Sequence, residues 1–491
     1  MPGAEDRAVP PLDHSLRRLT SPHPQAICFV AMRQHDSIAP AARSAAAAAP
    51  TPAFRYNLWT TGCQMNEADA VRAAALLESA GGVPTDDARE ADFVLLNTCA
   101  VRQQAEDKAY VRLRYVGQLR KRNPKLVVAL MGCIVGTGRA RTEALKAEYP
   151  FIDLFLPPSD LAPLRSYLAG AGLLPPAAAA VGTGELGEGG WTDPVPAPQG
   201  VLAHLPVVLG CSHACAYCVI PYRRGAERSR PSGEVIAEAR ALVGRGAREI
   251  TVLGQIVDRY GLDRPGEIRL PELLRRIAEI PGLLRLRFLT SHPNWFTDDL
   301  LDVMAETPIL CPYVEIPVQA GSDSILAAMR RGYTADQYRA LIRHVRERIP
   351  GVGLSTDIIV GFPGESDADF QATMDLMREV RPDMIRVAKY SPRPQTLSAR
   401  TMPDDVPPEV KEERRVALEN LLREMLTAKH ANYVGRTFEI LVESVEPNGR
   451  LRGRTPDATL VFVEDSDARP GDLLRVTITW AGPFSLIARA P

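Results

Sequence analysis

The chain has 491 residues, 45% apolar and 24% charged, which suits about three globular domains. Lys and Arg number 58 against 59 Asp and Glu, a net charge of −1, so nucleic-acid binding through a global electrostatic field is excluded and any such contact has to come from local patches. Eight cysteines are too few for a disulfide scaffold of this length; clustered cysteines without a secretory signal read as metal-binding or catalytic.

Residues 1–53 are rich in Pro, Ala and Ser and read as a disordered N-terminal extension. The apolar run Ala26–Met32 is too short for a signal core. Glu5, Asp6, Asp13 and Asp36 nearly balance Arg7, Arg17, Arg18, Arg33 and Arg43, unlike an acid-poor targeting presequence. No apolar stretch of about 20 residues is free of prolines and charges, so no membrane span is expected. These features point to a cytoplasmic protein.

Residues 54–168 repeat one pattern. Short β-type runs at Phe54–Thr61, Asp92–Thr98 and Lys125–Met131 each lead to a cysteine: Cys63, Cys99 and Cys133. Helix-like stretches, Asn66–Ser79 and Glu106–Arg122, lie between them. Strands alternating with helices predict a parallel sheet. Ligands of such sheets sit beyond the carboxyl ends of the strands, so these cysteines can converge although they are far apart in sequence. A lone strand-end cysteine would read as a buried core residue; three at equivalent places in a repeated unit point to a shared metal centre.

Residues 169–200, with "LLPPAAAAVGTGELGEGG", read as a linker. A second alternation fills 201–432. Strands are predicted at Leu205–Leu209, Glu249–Leu253, Leu284–Leu289, Tyr313–Val318, Gly353–Val360 and Met384–Tyr390. Helices are predicted at Gly233–Val243, Pro271–Ile280, Ala335–Arg348 and Asp367–Val380. Six such units predict a partial (β/α) barrel working at its strand carboxyl ends. A charged amphipathic helix is expected over Pro408–Tyr433. Short strands and turns over 433–491 predict a small, OB-like β-barrel of a kind that often binds oligonucleotides. The fold class is therefore α/β with a small β-barrel appended.

Cys211, Cys215 and Cys218, spaced C-x3-C-x2-C, follow the first barrel strand. Zinc is one reading, with His213 as a fourth ligand, but zinc hairpins usually pair C-x2–4-C with a distant second pair, and none follows. An iron–sulfur cubane is the other; held by three thiolates it leaves one iron free. Cys28 and Cys311 have no evident partners. The run Arg223, Arg224, Arg228 and Arg230 fits a solvated face or, given its place beside the cysteine loop, a phosphate contact. Arg450, Arg452 and Arg454 alternate along a terminal strand and form a second basic patch. Two separated patches suit a folded RNA better than a small substrate.

Cys211 to Cys218, with Tyr217 before the last cysteine, resembles the signature loop of radical S-adenosylmethionine (SAM) enzymes. That resemblance implies a 4Fe–4S cluster whose open iron binds SAM and whose electron cleaves it to a 5′-deoxyadenosyl radical. Tyr217, Gln255, Gln319, Ser322 and Gly361 stand where SAM contacts would lie; "DIIVGFPGE", Asp357 to Glu365, looks like the segment beside the adenine. "GCQMNEADA", "NTCAVRQQAEDKA", "GCSHACAYCVIPYRRGAERSRP" and a tail similar to a TRAM domain together resemble the methylthiotransferase family, from about Tyr56 to Ala488. "PYRRGAERSRP", "RFLTSHP" and "KYSPRP" look most like its branch acting on N6-isopentenyladenosine. The resemblance implies a second 4Fe–4S cluster on Cys63, Cys99 and Cys133, replacement of the carbon 2 hydrogen of the adenosine at position 37 of tRNA by a methylthio group, recognition of the anticodon loop, and an external low-potential electron donor. A monomer is expected. The family's usual "GQNVNSY" and "SPRPGT" are here "GQIVDRY" and "SPRPQT", so Ile256, Asp258 and Gln395 bear on substrate identity rather than on cluster ligands. Other branches act on threonylcarbamoyl-adenosine in tRNA or on an aspartate of a ribosomal protein, and a zinc-stabilised RNA-binding protein is the alternative without catalysis.

Overall fold

A computed structural model of the chain describes residues 53–174 and 194–490. The expected disordered extension falls outside these residues except for Ala53, and so does most of the 169–200 segment.

The first sheet consists of β1 (Phe54–Thr60), β2 (Gly82–Pro84), β3 (Phe93–Thr98), β4 (Val127–Gly132) and β5 (Leu154–Leu156), in the order β2-β1-β3-β4-β5. All four pairings are parallel. Every residue of β3 is buried because helices cover both faces, which is why the strand reads as a continuous run and not an alternating one. Phe93 and Leu95 pack with Leu76 and Leu77 of helix Gln64–Ser79, while Val94 and Leu96 pack with Leu113 and Val116 of helix Gln103–Arg122. The strand order reverses between β1 and β3, and the crevice at such a reversal is where open α/β sheets bind ligands. Cys63 and Cys99 flank it. The sequence reading found β1, β3 and β4 but not β2 and β5, which are only three residues each.

The second unit comprises β6 (Leu202–Pro206), β7 (Val208–Leu209), β8 (Arg228–Ser229), β9 (Glu249–Leu253), β10 (Arg285–Leu289), β11 (Tyr313–Glu315), β12 (Gly353–Val360) and β13 (Met384–Lys389). The parallel sheets β6-β9-β10 and β11-β12-β13 meet where Leu286 bridges to Leu310, giving an open barrel of six parallel strands around one core. Two strand expectations need correction. Leu205–Leu209 is not one strand: β6 ends at Pro206, and β7 instead pairs antiparallel with β8, folding the cysteine loop back over the barrel mouth. Tyr313–Val318 stops at Glu315, two residues before Pro317, which has no N–H to give a ladder.

The third unit is a closed barrel, β14 (Thr437–Val445), β15 (Leu451–Arg454), β16 (Leu460–Glu464), β17 (Leu473–Ala481) and β18 (Leu486–Arg489), in the order β14-β15-β16-β18-β17. Closure leaves no free sheet edge. Helix Pro408–Ala431 leads into it and buries Leu418, Leu421 and Leu422 against the central core. The barrel docks on the amino-terminal end of the central strands. Arg285 and Arg287 of β10 donate to the carbonyls of Arg454, Thr455 and Pro456 at 2.6–3.1 Å. No helix among the described residues is long and apolar enough to cross a membrane.

Candidate metal centres

The three N-terminal cysteines stand at three neighbouring strand ends. Cys63 is the N-cap of helix Gln64–Ser79, Cys99 directly follows β3, and Cys133 follows β4 with its N–H donating to the Thr98 carbonyl (2.9 Å). Gly132 makes the last turn possible: its φ is +97°, and a Cβ there would sit 2.4 Å from the Thr98 carbonyl oxygen. Buried Asn66 ties the ends together, donating to the carbonyls of Thr61 (2.8 Å) and Thr98 (3.0 Å), while Asn97 donates to the Asn66 carbonyl (2.6 Å). Burial pushes the Cys99 thiol up to about 12, and the negative charges of Cys133 and Cys63 add to the rise. Cys63 is solvent-accessible, yet enough protein surrounds it for burial to raise its thiol as well. Thiols gathered in this way at three neighbouring strand ends suit a cation between them.

The second triad lies in the loop between β7 and β8. Gly210, with φ +66°, precedes it; a Cβ there would lie 2.1 Å from the Ala226 carbonyl oxygen, so only glycine lets the loop pack back on itself. Cys215 is distinguished from its neighbours. Burial raises its thiol, but His213 Nδ1 at 2.9 Å and Arg331 Nη1, donating at 3.3 Å, outweigh that and hold it at about 7. Burial leaves Cys211 near 11 and Cys218 near 12. His213, His292 and Trp295 pack against one another, tilted or edge-on, with ring centres 4.7–5.4 Å apart, and Arg259 lies 4.4 Å from the Trp295 ring centre. Among the described residues no three His, Cys, Asp or Glu side chains converge as the ligands of one metal ion would. A cubane makes no such demand, since its thiolates go to different irons. All six cysteines are free thiols, and both triads offer donors that suit an iron–sulfur cluster.

The two strand-end faces oppose one another. Met65 and Ala68, just after Cys63, pack with Leu209, just before Cys211, and with Leu253. Residues of the basic run line this seam. Arg224 donates to Asn66 Oδ1 (2.6 Å), Asp69 Oδ2 (3.3 Å) and Ser159 Oγ (3.2 Å), with its side chain 2% exposed. Burial would lower its pKa, but Cys133, Asp69 and Cys63 raise it further. Arg223 is buried among Arg141, Glu106 and Cys133. Arg228 is half-buried near Asp160 and Asp263. Arg230 is buried against Glu238 (2.6 Å) and the Pro206 carbonyl (2.7 Å). Arg393, in the strand-end segment Ser391–Arg393, adds a bridge from the loop after β13 to Glu106 (2.5 Å) and Gln103 (2.9 Å). Its "SPRP" context was visible, but its partners lie nearly 290 residues away.

The remaining expected residues lie on several parts of the central barrel. Tyr217 packs edge-on to Phe362 beside the cysteine loop. Gln255 follows β9 and is half-buried. Gln319 is buried with φ +77°, its N–H donating to the Asp357 carbonyl. The Ser322 hydroxyl is engaged with Asp369 and Ser324. The Gly361 N–H donates to Glu365 (2.5 Å), which Arg414 holds at 2.7 Å. Asp258 accepts from Ser291 Oγ (2.7 Å) and the His292 N–H (2.8 Å), and burial raises its carboxyl to about 7. It thus steadies the loop carrying the aromatic stack, while Ile256 packs against Cys211. Gln395 sits at φ +77°, the conformation glycine adopts without strain. In the terminal barrel Arg452 and Arg454 share Glu443, and Arg450, just before β15, pairs with Glu464 (2.5 Å). All three side chains remain 30–41% exposed.

Comparisons with known proteins agree with this division. Residues 55–157 match "Uncharacterized protein family UPF0004", 205–377 the "Radical SAM superfamily" and 431–490 the "TRAM domain". A tRNA-2-methylthio-N(6)-dimethylallyladenosine synthase from Roseiflexus sp. (strain RS-1) is 43% identical over 441 residues, covering 88% of each chain. A protein of the same name from Dehalococcoides mccartyi (strain ATCC BAA-2266 / KCTC 15142 / 195) is 42% identical over 88% of this chain and 98% of its own. The chain belongs to the methylthiotransferase family of radical SAM enzymes. A solved structure of the radical SAM methyltransferase TsrM from Kitasatospora setae matches 70% of this chain and 75% of that one with a TM-score of 0.50 and 18% identity, a likeness of fold. A methylthiotransferase of this kind uses an iron–sulfur cluster and SAM and acts on tRNA; the zinc-protein, threonylcarbamoyl and ribosomal-protein readings are not favoured.

Proposed function

We propose that this protein methylthiolates carbon 2 of N6-isopentenyladenosine at position 37 of tRNA, using two 4Fe–4S clusters, one on Cys211, Cys215 and Cys218 and the other on Cys63, Cys99 and Cys133. The observation that supports the pairing is the seam: two cysteine triads at strand carboxyl ends belong to domains joined through Arg224, which feels Cys133 and Cys63 while standing six residues beyond Cys218. When bound there, the clusters and SAM supply the one-electron, methyl- and sulfur-transfer chemistry that no side chain of the protein offers for an aromatic C–H.

The protein's own groups do the rest. Arg331 and His213 favour the thiolate of Cys215. Arg224 places a buried positive charge beside Cys133. His292, Trp295 and Tyr333 wall the cysteine loop and limit water near it. Tyr217, Gln255, Gln319, Ser322 and Gly361 are the positions we assign to SAM, and Arg450, Arg452 and Arg454 to tRNA. The working domains are 54–168, 201–432 and 433–491. We further take the protein to be a cytoplasmic monomer that receives its electrons from an external low-potential donor.

Anaerobic purification followed by iron and sulfide assay tests the cluster assignment. About eight of each per chain are expected, halved when Cys63, Cys99 and Cys133 are all replaced by alanine. Stoichiometric zinc, or iron unchanged in that triple variant, would refute it.

A further inference from the structure

With most of the basic run committed to the domain seam, the tRNA needs another cationic surface close to the cleft. Helix Gln103–Arg122 supplies one. It carries six basic residues against two acidic ones in a chain whose overall charge is −1. Arg112 and Arg120 are held back toward the sheet, by Asn57 Oδ1 (3.3 Å) and Asp153 (2.9 Å). Lys108, Arg114, Lys121 and Arg122 are exposed, and none of them takes part in an ion pair among the described residues. Between them Val111 is 58% exposed and Tyr115 39%, an unusual exposure for an apolar and an aromatic side chain on a helix whose other face is buried core. Positions 104, 108, 111, 115, 118 and 122 recur at helical spacing and form one stripe; Arg114 and Lys121 flank it on one side, where the exposed Asp107 is the one acidic residue beside them.

The place of this stripe matters as much as its charge. The helix begins four residues after Cys99, and its first turn holds Arg393 from the central barrel. It therefore starts at the cleft between the two triads and runs outward for about 30 Å. A base inserted in the cleft would leave its flanking phosphates along this line. Helix-dipole compensation accounts for basic residues in the last turn only, and Arg112 lies 5.1 Å from the Tyr115 ring centre, which leaves Lys108, Arg114 and Val111 unexplained.

Resting on the function proposed above, we infer that the exposed face of helix Gln103–Arg122 is a tRNA-binding surface, with Lys108, Arg114, Lys121 and Arg122 on backbone phosphates and Tyr115 and Val111 against ribose or base. Phosphates rather than an acidic protein are favoured because the cations are spread along the helix and interleaved with an aromatic, the pattern that follows a nucleic-acid strand.

The test is fluorescence anisotropy with a labelled tRNA anticodon stem-loop carrying N6-isopentenyladenosine. It is titrated with the anaerobic, cluster-loaded full chain over a range of salt, for the wild type and for a variant with Lys108, Arg114, Lys121 and Arg122 all changed to glutamine. The variant is expected to bind at least about tenfold more weakly at low salt, with a log–log salt dependence shallower by about 2 to 4, and to cleave SAM without tRNA as the wild type does. Equal affinity and equal salt slope overturn the inference while leaving the methylthiotransferase reading in place. Failure of the wild type to bind the stem-loop overturns both. Unchanged tRNA binding with slower reduction by an acidic electron carrier assigns the face to a protein partner and also overturns it.

Discussion

Cys215→Ala is expected to abolish SAM cleavage, whereas Cys99→Ala is expected to abolish methylthio product and to leave SAM cleavage measurable. The two substitutions separate because the two triads belong to different sheets. Cys215 is the thiol held near 7 by His213 and Arg331, so its loss removes the most readily ionised thiol of the loop that follows β7. Cys99 directly follows β3, buried like Cys133 and near the solvent-accessible Cys63, and touches none of the groups that hold Cys215. Anaerobic assay of 5′-deoxyadenosine release alongside product analysis gives both readouts. Equal SAM cleavage by the wild type and Cys215→Ala would show that the loop cysteines are not ligands.

Arg224→Ala is expected to weaken the joint between the α/β domains and to empty the second cluster proposed on Cys63, Cys99 and Cys133. Its partner Asp69 is fully buried and would be left with an uncompensated charge, a loss of about 3–5 kcal/mol. The pair itself need not be a net stabiliser, because desolvating both charges costs about as much as their attraction returns. The double variant Arg224→Ala, Asp69→Asn should therefore regain much of the thermal stability without regaining iron at Cys63, Cys99 and Cys133. Arg224→Lys should be intermediate, since an ammonium keeps the charge but not the forked reach to Asn66 and Asp69. Thermal melts and iron counts decide the matter. If Arg224 contacted only phosphate, the alanine variant would keep its stability and its iron and lose only tRNA affinity.

The sequence showed the strands that carry cysteines because a parallel strand covered on both faces reads as an unbroken apolar run, and the chemistry follows its carboxyl end. β3 and β12 were legible on those grounds. The strands that were missed, β2 and β5, are three-residue edges whose pairing depends on β1 and β4 rather than on their own pattern. The partners of the arginines were hidden for a different reason. A run of cations looks solvated until its partners are known, and Asp69 and Glu106 lie more than a hundred residues from the arginines they meet. The exposed stripe on helix Gln103–Arg122 was invisible for the converse reason: the helix was legible, but which of its cations stay unpaired depends on Asn57 in β1 and Asp153 just before β5. Ile256 and Asp258 departed from the family's pattern on paper. In the structure both support the cysteine loop and its aromatic stack, so they leave its architecture intact.

Nucleoside mass spectrometry of tRNA tests the central claim most directly. A strain lacking this gene and any paralogue should lose 2-methylthio-N6-isopentenyladenosine and accumulate N6-isopentenyladenosine, and the wild-type gene should restore the methylthio form while the Cys99→Ala gene does not. Persistence of the methylthio nucleoside at its normal level in the deletion strain would contradict the account.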